Sequence, residues 1–196
     1  VRMTLVTGLR LGEVVGLRWC DIDFYTNMLH VNQTLNRLQR YDDDEADSKT
    51  EIVTQTPKLQ NSIRSIPMLP ELVMDLQNWR TVQMQDAAAM GTSYFDSGLI
   101  ATQENGLYVE PRLMREYYQK MLAAANLPNY NFHALRHTFA TRAMEQGMDA
   151  KTLSILLGHY SVGFTLDTYA HVLTDQKWTA MQTMANMYNM EPPLRQ

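Results

Sequence analysis

The chain has a single cysteine, Cys20, so no disulfide can form within it. A reducing interior is the natural setting for such a composition. Long apolar runs are also missing: none approaches the ~20 residues a membrane-spanning helix needs, and no segment has the pattern of a signal peptide. Positive charge is in short supply. Lys and Arg number 17 against 21 Asp and Glu, giving a net charge of −4 and a pI of about 5.7. That balance weighs against a uniformly basic nucleic-acid binder. It leaves room for a local basic site, because affinity for a phosphate backbone depends on where the cations sit. What is present is ordinary: 45% hydrophobic and 19% charged residues are the proportions of a soluble globular protein. At 196 residues the chain makes one large domain or two small ones. It is long enough to bury roughly 70% of its unfolded surface.

The first nineteen residues read as helix, break, helix. Met3, Leu5 and Val6 lead to Gly8, and Leu11, Val14, Val15 and Leu17 then recur at helical spacing. Gly8 permits a tight turn that sets Arg10 at the start of the second helix. Glu13, three residues on, can face it across one turn. Residues 21–68 read as strands, with a turn at Tyr25-Thr26-Asn27 and a second hairpin from Ile52 to Pro67 that has Lys58 near its tip. The acidic run Tyr41–Asp47 reads as a solvated loop. Beyond it the chain turns mainly helical. A long helix is expected over Pro70–Met90, a short strand over Leu99–Ala101, and further helices over Pro111–Ala125, His133–Glu145 and Ala150–Leu157, the last capped by Asp149. Arg112, Arg115 and Lys120 give the Pro111 helix a partly basic face, and the fourteen methionines read as adaptable core filling on helix faces. A tail helix is expected over residues 176–190, with Trp178, Met181, Ala185 and Tyr188 on one side.

The last third carries the chemistry. His133 and Arg136 share a face of one helix; His159 follows a glycine; Tyr169 comes ten residues later. A guanidinium offers a rigid fork of donors matched to two phosphate oxygens, and a tyrosine hydroxyl can act as a covalent nucleophile. Arg10 and Arg136 together could neutralise a phosphorane at its non-bridging oxygens. The phenol, with a reference pKa near ~10, needs a base, for which His133 is the natural choice. Lys58 suits protonation of a leaving oxygen, His159 suits a hydrogen bond to the phosphate, and Glu13 orients Arg10. Arg64 is a weaker candidate for a backbone phosphate contact. The plain alternatives are a surface Arg10 paired with Glu13, a solvated hairpin lysine at 58, and Tyr160 as a rival phenol.

These residues sit in the segments TGLRLGE with the following LRWCDID, the lysine before SIRSIP, HALRHTFAT, LGHYS and TLDTYAHV. Segments of this kind, in this order, resemble the catalytic domain of the tyrosine recombinases, of the phage and conjugative-transposon integrase kind. The resemblance covers nearly the whole chain and is weakest in the last twenty residues. It implies an α+β fold, mostly helical with a small antiparallel sheet in the N-terminal third. It implies a catalytic domain over 1–175 followed by a tail helix over 176–196, and core-binding and arm-binding domains ahead of it. The catalytic set would be Arg10, Lys58, His133, Arg136, His159 and Tyr169, and His171 also fits the family's pattern. The implied activity is site-specific DNA strand exchange through a 3′-phosphotyrosyl intermediate, integrating or excising a mobile element. No cofactor or metal is expected. The implied partners are duplex DNA attachment sites and three further copies in a tetramer, with a monomer for the isolated piece. The implied setting is cytoplasmic and nucleoid-associated in a bacterium.

Three other readings compete. A type IB topoisomerase uses the same chemistry without pairing two duplexes. A non-catalytic DNA-binding module would bind without forming an adduct. A metal hydrolase would draw on His133, His137, His159 and His171, but Ala134 stands where a zinc-protease helix carries its glutamate.

Overall fold

The computed structural model describes residues 1–39, 50–56, 62–169, 178 and 181–187. Helix α1 (Arg2–Thr7) ends at Gly8, whose φ of 69° lies in the left-handed region. Two residues later Arg10 caps α2 (Leu11–Gly16). The turn between them is tight for a packing reason as well as a conformational one. A Cβ at Gly8 would stand 2.5 Å from the Leu157 side chain and 2.6 Å from that of Phe139. The backbone here therefore lies directly against two later helices.

After a 3-10 turn at Trp19–Asp21, strand β1 (Ile22–Asp23) folds back on β2 (Met28–Val31). The Asp23 carboxylate accepts from the backbone N–H groups of Tyr25 and Thr26 at 2.8 and 3.1 Å, and Asn27 takes a positive φ of 54°. Asp and Asn are the residues that tolerate such turns, through local side-chain bonds and left-handed backbone. The remaining strands are β3 (Thr34–Gln39), β4 (Thr50–Gln55) and β5 (Arg64–Pro67).

Their pairing corrects one expectation. β4 and β5 do not form a hairpin with each other. β3 pairs with β4 in a two-stranded antiparallel sheet, and β5 pairs with β2 in a three-stranded sheet of order β1-β2-β5. The reason lies in what each strand can bury. β5 turns Arg64 and Ile66 inward, and both need the interior beneath β2. β4 has few apolar side chains and is only partly covered, which suits an outlying ribbon with β3. The chain passes from one sheet to the other at Asn32-Gln33, held by Asn32 to the Asp21 carboxylate and Gln33 to the Gly16 carbonyl.

Helix α3 (Pro70–Met90) starts on a proline at its first position, where no N–H is needed. It buries only a narrow stripe of Leu72, Leu76 and Gln83. The indole N–H of Trp79 donates to the Ile100 carbonyl at 2.6 Å, and the Gln83 amide donates to the same carbonyl at 3.1 Å. The segment expected as a strand at 99–101 makes only an isolated bridge, Leu99 to Arg18. The methionines are also not mainly core. Met68 and Met144 are buried, whereas Met74, Met84, Met181 and Met187 are exposed, because the helices that carry them use so little of their circumference. Helices α4 (Pro111–Ala124), α5 (His133–Glu145), α6 (Ala150–Leu157) and α7 (Val162–Thr168) complete the described fold, with residues 181–187 also helical.

Three apolar clusters hold these elements. One lies under the three-stranded sheet, around Leu9, Leu29, Ile66 and Leu72. A second joins α4 to α5 through Tyr118, Leu122, Phe132 and Leu135. The third joins α5, α6 and the residue after α7: Ala140, Met144, Leu153, Leu157 and Tyr169. Gly8 lies against this third cluster, since its nearest neighbours are Leu157 and Phe139. Gly8→Ala is therefore expected to destabilise the domain by about 2–4 kcal/mol, combining a left-handed backbone penalty with overpacking. Urea denaturation of the variant measures this.

Candidate active site

The site is built on the C-terminal end of α6. A helix leaves its last carbonyls without intrahelical partners, and they carry the negative end of its dipole. Three successive carbonyls here each accept from a different arginine. Arg64 Nε donates to Leu156 O at 2.6 Å, Arg136 Nη2 to Leu157 O at 2.7 Å, and Arg10 Nη2 to Gly158 O at 3.0 Å. The three come from β5, α5 and the cap of α2. Gly158 supplies the left-handed turn, with φ at 62°, that ends the helix and presents His159 next. Arg136 is buried to 2% exposure and also donates to Gly8 O at 2.7 Å.

Glu13 joins two of these arginines. Its carboxylate accepts from Arg10 Nη1 at 2.9 Å, from the Arg10 backbone N–H at 2.8 Å, and from both terminal nitrogens of Arg64 at 3.0 and 2.9 Å. Burial works to raise this carboxyl's pKa, but the bonds and charges of Arg64 and Arg10 outweigh it and hold it below its ordinary value. Arg64 is thus committed to the interior. The expectation that it contacts a backbone phosphate is corrected: its side chain is 3% exposed and four of its five N–H donors are taken.

Arg136 is pushed down to about 9 by burial and by the neighbouring Arg10 and Arg64 charges, with Glu13 opposing. It remains cationic at neutral pH. Among these four groups, three guanidinium charges meet one carboxylate. The surplus positive potential opens onto a cavity of about 330 Å³ lined by Arg10, His133 and Arg136, together with Arg115, Gln119 and Asn131. Sequence reasoning did not single out these last three for the site. Arg115 was grouped with Arg112 on a basic helix face, yet Arg112 is paired with Glu116 while Arg115 borders the cavity.

His133 has its pKa lowered, first by burial and then by His137, Arg136 and Arg10, so it can accept a proton at neutral pH. His159 is lowered to about 4 by burial and by the three arginines. Its Nδ1 lies 2.8 Å from the buried Thr165 hydroxyl. When that hydroxyl donates, the ring keeps its own proton on Nε2, where it can donate to a ligand. Thr165 is another residue the sequence reading passed over. Its only signal was a hydroxyl one helical turn before Tyr169.

Tyr169 stands one step back from this cavity. Its ring packs among Ala140, Met144, Leu153 and Leu157, and burial raises its pKa against the lowering effect of Arg136. Its hydroxyl is 3.1 Å from Nδ1 of His137. The His137 ring meets His133 edge-on at 4.6 Å between centroids. The line from cavity to phenol therefore runs His133, His137, Tyr169. His137, expected to point aside, is the phenol's hydrogen-bond partner. Tyr160 is 77% exposed and borders a different cavity with His159. Lys58 and His171 lie outside the described residues. Among the described residues no group of three or more His, Cys, Asp or Glu side chains converges as a metal site would require.

The sequence profile described as the phage integrase family matches residues 1–176. The chain belongs to that family. A tyrosine recombinase XerC-like protein of Caldanaerobacter subterraneus subsp. tengcongensis is 35% identical over 185 residues, 93% of this chain and 47% of that protein. The transposase of transposon Tn916 from Enterococcus faecalis is 26% identical over 94% of this chain and 44% of its own length. The integrase domain thus spans about half the length of the curated relatives it matches. Among solved structures, the Tn1549 transposon integrase in complex with circular intermediate DNA superposes at a TM-score of 0.73 with 26% identity, covering 93% of this chain and 58% of that one. XerA recombinase shares the fold at 0.62 and 21% identity. These matches bear out the mixed, mostly helical fold with small antiparallel sheets.

The depressed histidines have a consequence for stability. Unfolded histidine titrates near ~6.5, whereas His159 in the fold takes up its proton only near 4. Between those values the unfolded chain binds more protons, so stability falls as pH falls. His133 contributes with the same sign. Denaturation midpoints are expected to drop from pH 6.5 towards 4, and His159→Gln is expected to make that drop shallower.

Proposed function

We propose that this integrase domain breaks and rejoins DNA by attack of Tyr169 on a scissile phosphodiester in duplex DNA. The observation that carries the reading is the pairing of Arg10 and Arg136 around one cavity, each fixed on a backbone carbonyl, with a histidine relay leading to a phenol. The Tyr169 oxygen attacks phosphorus and the bond to the 5′ oxygen breaks. The products are a 3′-phosphotyrosyl link and a 5′-hydroxyl. The phenolic proton passes to His133, and Lys58 returns a proton to the leaving oxygen. Arg10 and Arg136 neutralise the non-bridging oxygens, and His159 adds a donor from Nε2; each such donor is worth ~3–4 kcal/mol. The covalent link conserves the bond's energy, so the 5′-hydroxyl of another strand can reverse the reaction without a nucleotide cofactor.

In the resting arrangement the phenol has not entered the cavity. Tyr169 therefore moves out of the Ala140–Leu157 cluster when DNA is engaged, exchanging His137 for the scissile phosphate. Residues 1–175 act as the catalytic domain and 176–196 as the tail helix. The substrate is a pair of attachment sites of a mobile element, the assembly on DNA is a homotetramer, and the enzyme works on the bacterial nucleoid. Relatives named as recombinases, transposases and integrases support this over a topoisomerase, as does a structure of the Tn1549 integrase solved with transposon right end DNA.

A nicked duplex that loses its 5′-hydroxyl fragment on cleavage traps the intermediate. Mass spectrometry of the trapped adduct is expected to find DNA on Tyr169. Tyr169→Phe is expected to bind the same duplex with no adduct. An adduct on Tyr160, or none with the unaltered chain, overturns the proposal.

A further inference from the structure

Arg64 is the one member of the arginine trio with no outlet to the Arg10–Arg136 cavity. Among the described residues it makes four hydrogen bonds. Nε goes to Leu156 O at 2.6 Å, Nη1 to Glu13 Oε1 and to Ser62 O at 3.0 Å each, and Nη2 to Glu13 Oε2 at 2.9 Å. Both partners of the pair are almost completely buried, at 3% and 1% side-chain exposure. A buried ion pair of this kind carries a large desolvation cost and is weak as a stabiliser compared with an apolar pair of the same volume. Its geometric effect is another matter. The planar fork meets the carboxylate at two points and so fixes the carboxylate plane. That same carboxylate uses both oxygens on Arg10, one on the guanidinium and one on the backbone N–H.

We propose that Arg64 is a positioning residue. It holds Glu13 in the plane that aims Arg10, and it pins the first of the three carbonyls on which all three arginines rest. Resting on the phosphate-clamp reading above, this assigns the strand that follows the Lys58 segment a part in setting the clamp. Without Arg64, the Glu13 carboxylate turns wholly to Arg10 and draws its guanidinium off Gly158.

Two readouts test this in the Arg64→Gln variant. The first is its crystal structure. Loss of the Arg10–Gly158 hydrogen bond is expected, and its retention overturns the proposal even if the domain never cleaves DNA. The second is adduct formation on paired nicked duplexes, one with an ordinary scissile phosphodiester and one with a methylphosphonate, whose methyl group removes the charge. On the phosphodiester the rate is expected to fall on the order of 10²-fold, as for a misplaced transition-state donor, with duplex affinity within about twofold. On the methylphosphonate the fall is expected to be under about fivefold, because the phosphorane then carries one negative charge instead of two and Arg136 alone can meet it. An equal fall on both substrates marks a merely structural residue, and weakened binding with unchanged cleavage marks a direct phosphate contact; either overturns the assignment. An unaltered chain that forms no adduct counts against the cleavage reading alone, and the crystal structure then decides for Arg64. Removing one member of a buried pair can unfold a domain. In that case Arg64→Lys, which leaves a cation beside Glu13 but cannot meet its carboxylate at two points, carries the same expectations and the same reversals.

Discussion

The free carbonyls at the end of α6 are the constraint on which the rest of the site depends. Three guanidinium groups would not gather in a protein interior unaided. Each loses hydration, and each repels the other two. The helix end supplies what offsets this. Leu156, Leu157 and Gly158 present consecutive unpaired carbonyls at the negative end of a dipole, and each receives one arginine. Hydrogen bonds to charged groups contribute about 1.5–3 kcal/mol apiece. Glu13 then compensates one charge of the three. What remains among these groups is a surplus of two positive charges, in place before any ligand arrives. On the proposed reaction it would meet a doubly charged phosphorane as electrostatic preorganisation.

The same helix also fixes where the phenol rests. Leu153 and Leu157 face Tyr169 in the apolar cluster, while the carbonyls one turn on face the arginines. α5 repeats the division, with Ala140 and Met144 in the cluster and His133 and Arg136 on the cavity. The arginine-lined cavity and the buried phenol thus share two helices but occupy different faces. Gly8 closes the arrangement from the other side. It has no side chain to separate α1 from Leu157, and its carbonyl takes the second bond of Arg136. Residues from the first ten positions and the last third meet for this reason, despite their separation along the chain.

Much of this was legible in the sequence because the signals were local. The cap at Asp149, the proline that opens α3 at Pro70, the glycine stops and the spacing from His133 to Arg136 each gave an element or a shared face directly. The i, i+3 relation of Arg10 and Glu13 survives unchanged in the fold. What could not be read was tertiary. Strand partners were assigned to nearest neighbours, whereas β5 pairs with β2 because Arg64 and Ile66 need that interior. Arg64 looked like a surface cation because nothing near it in sequence shows that Glu13 waits 51 positions away. His137 was set aside on helical-wheel grounds, since its partner belongs to the segment after α7. Thr165 carried no signal beyond a hydroxyl at helical spacing from the phenol. Such pairings depend on where helices cross, and a single sequence does not state that.

The most direct measurement is a crystal structure of the chain bound to duplex DNA carrying its scissile phosphate. One phosphate is expected to lie between Arg10 and Arg136, each at roughly 2.7–3.1 Å from a non-bridging oxygen, with both arginines still on their α6 carbonyls and Tyr169 released from His137. A scissile phosphate seated elsewhere, or reached only after either arginine abandons α6, contradicts the claim that the end of this helix builds the site.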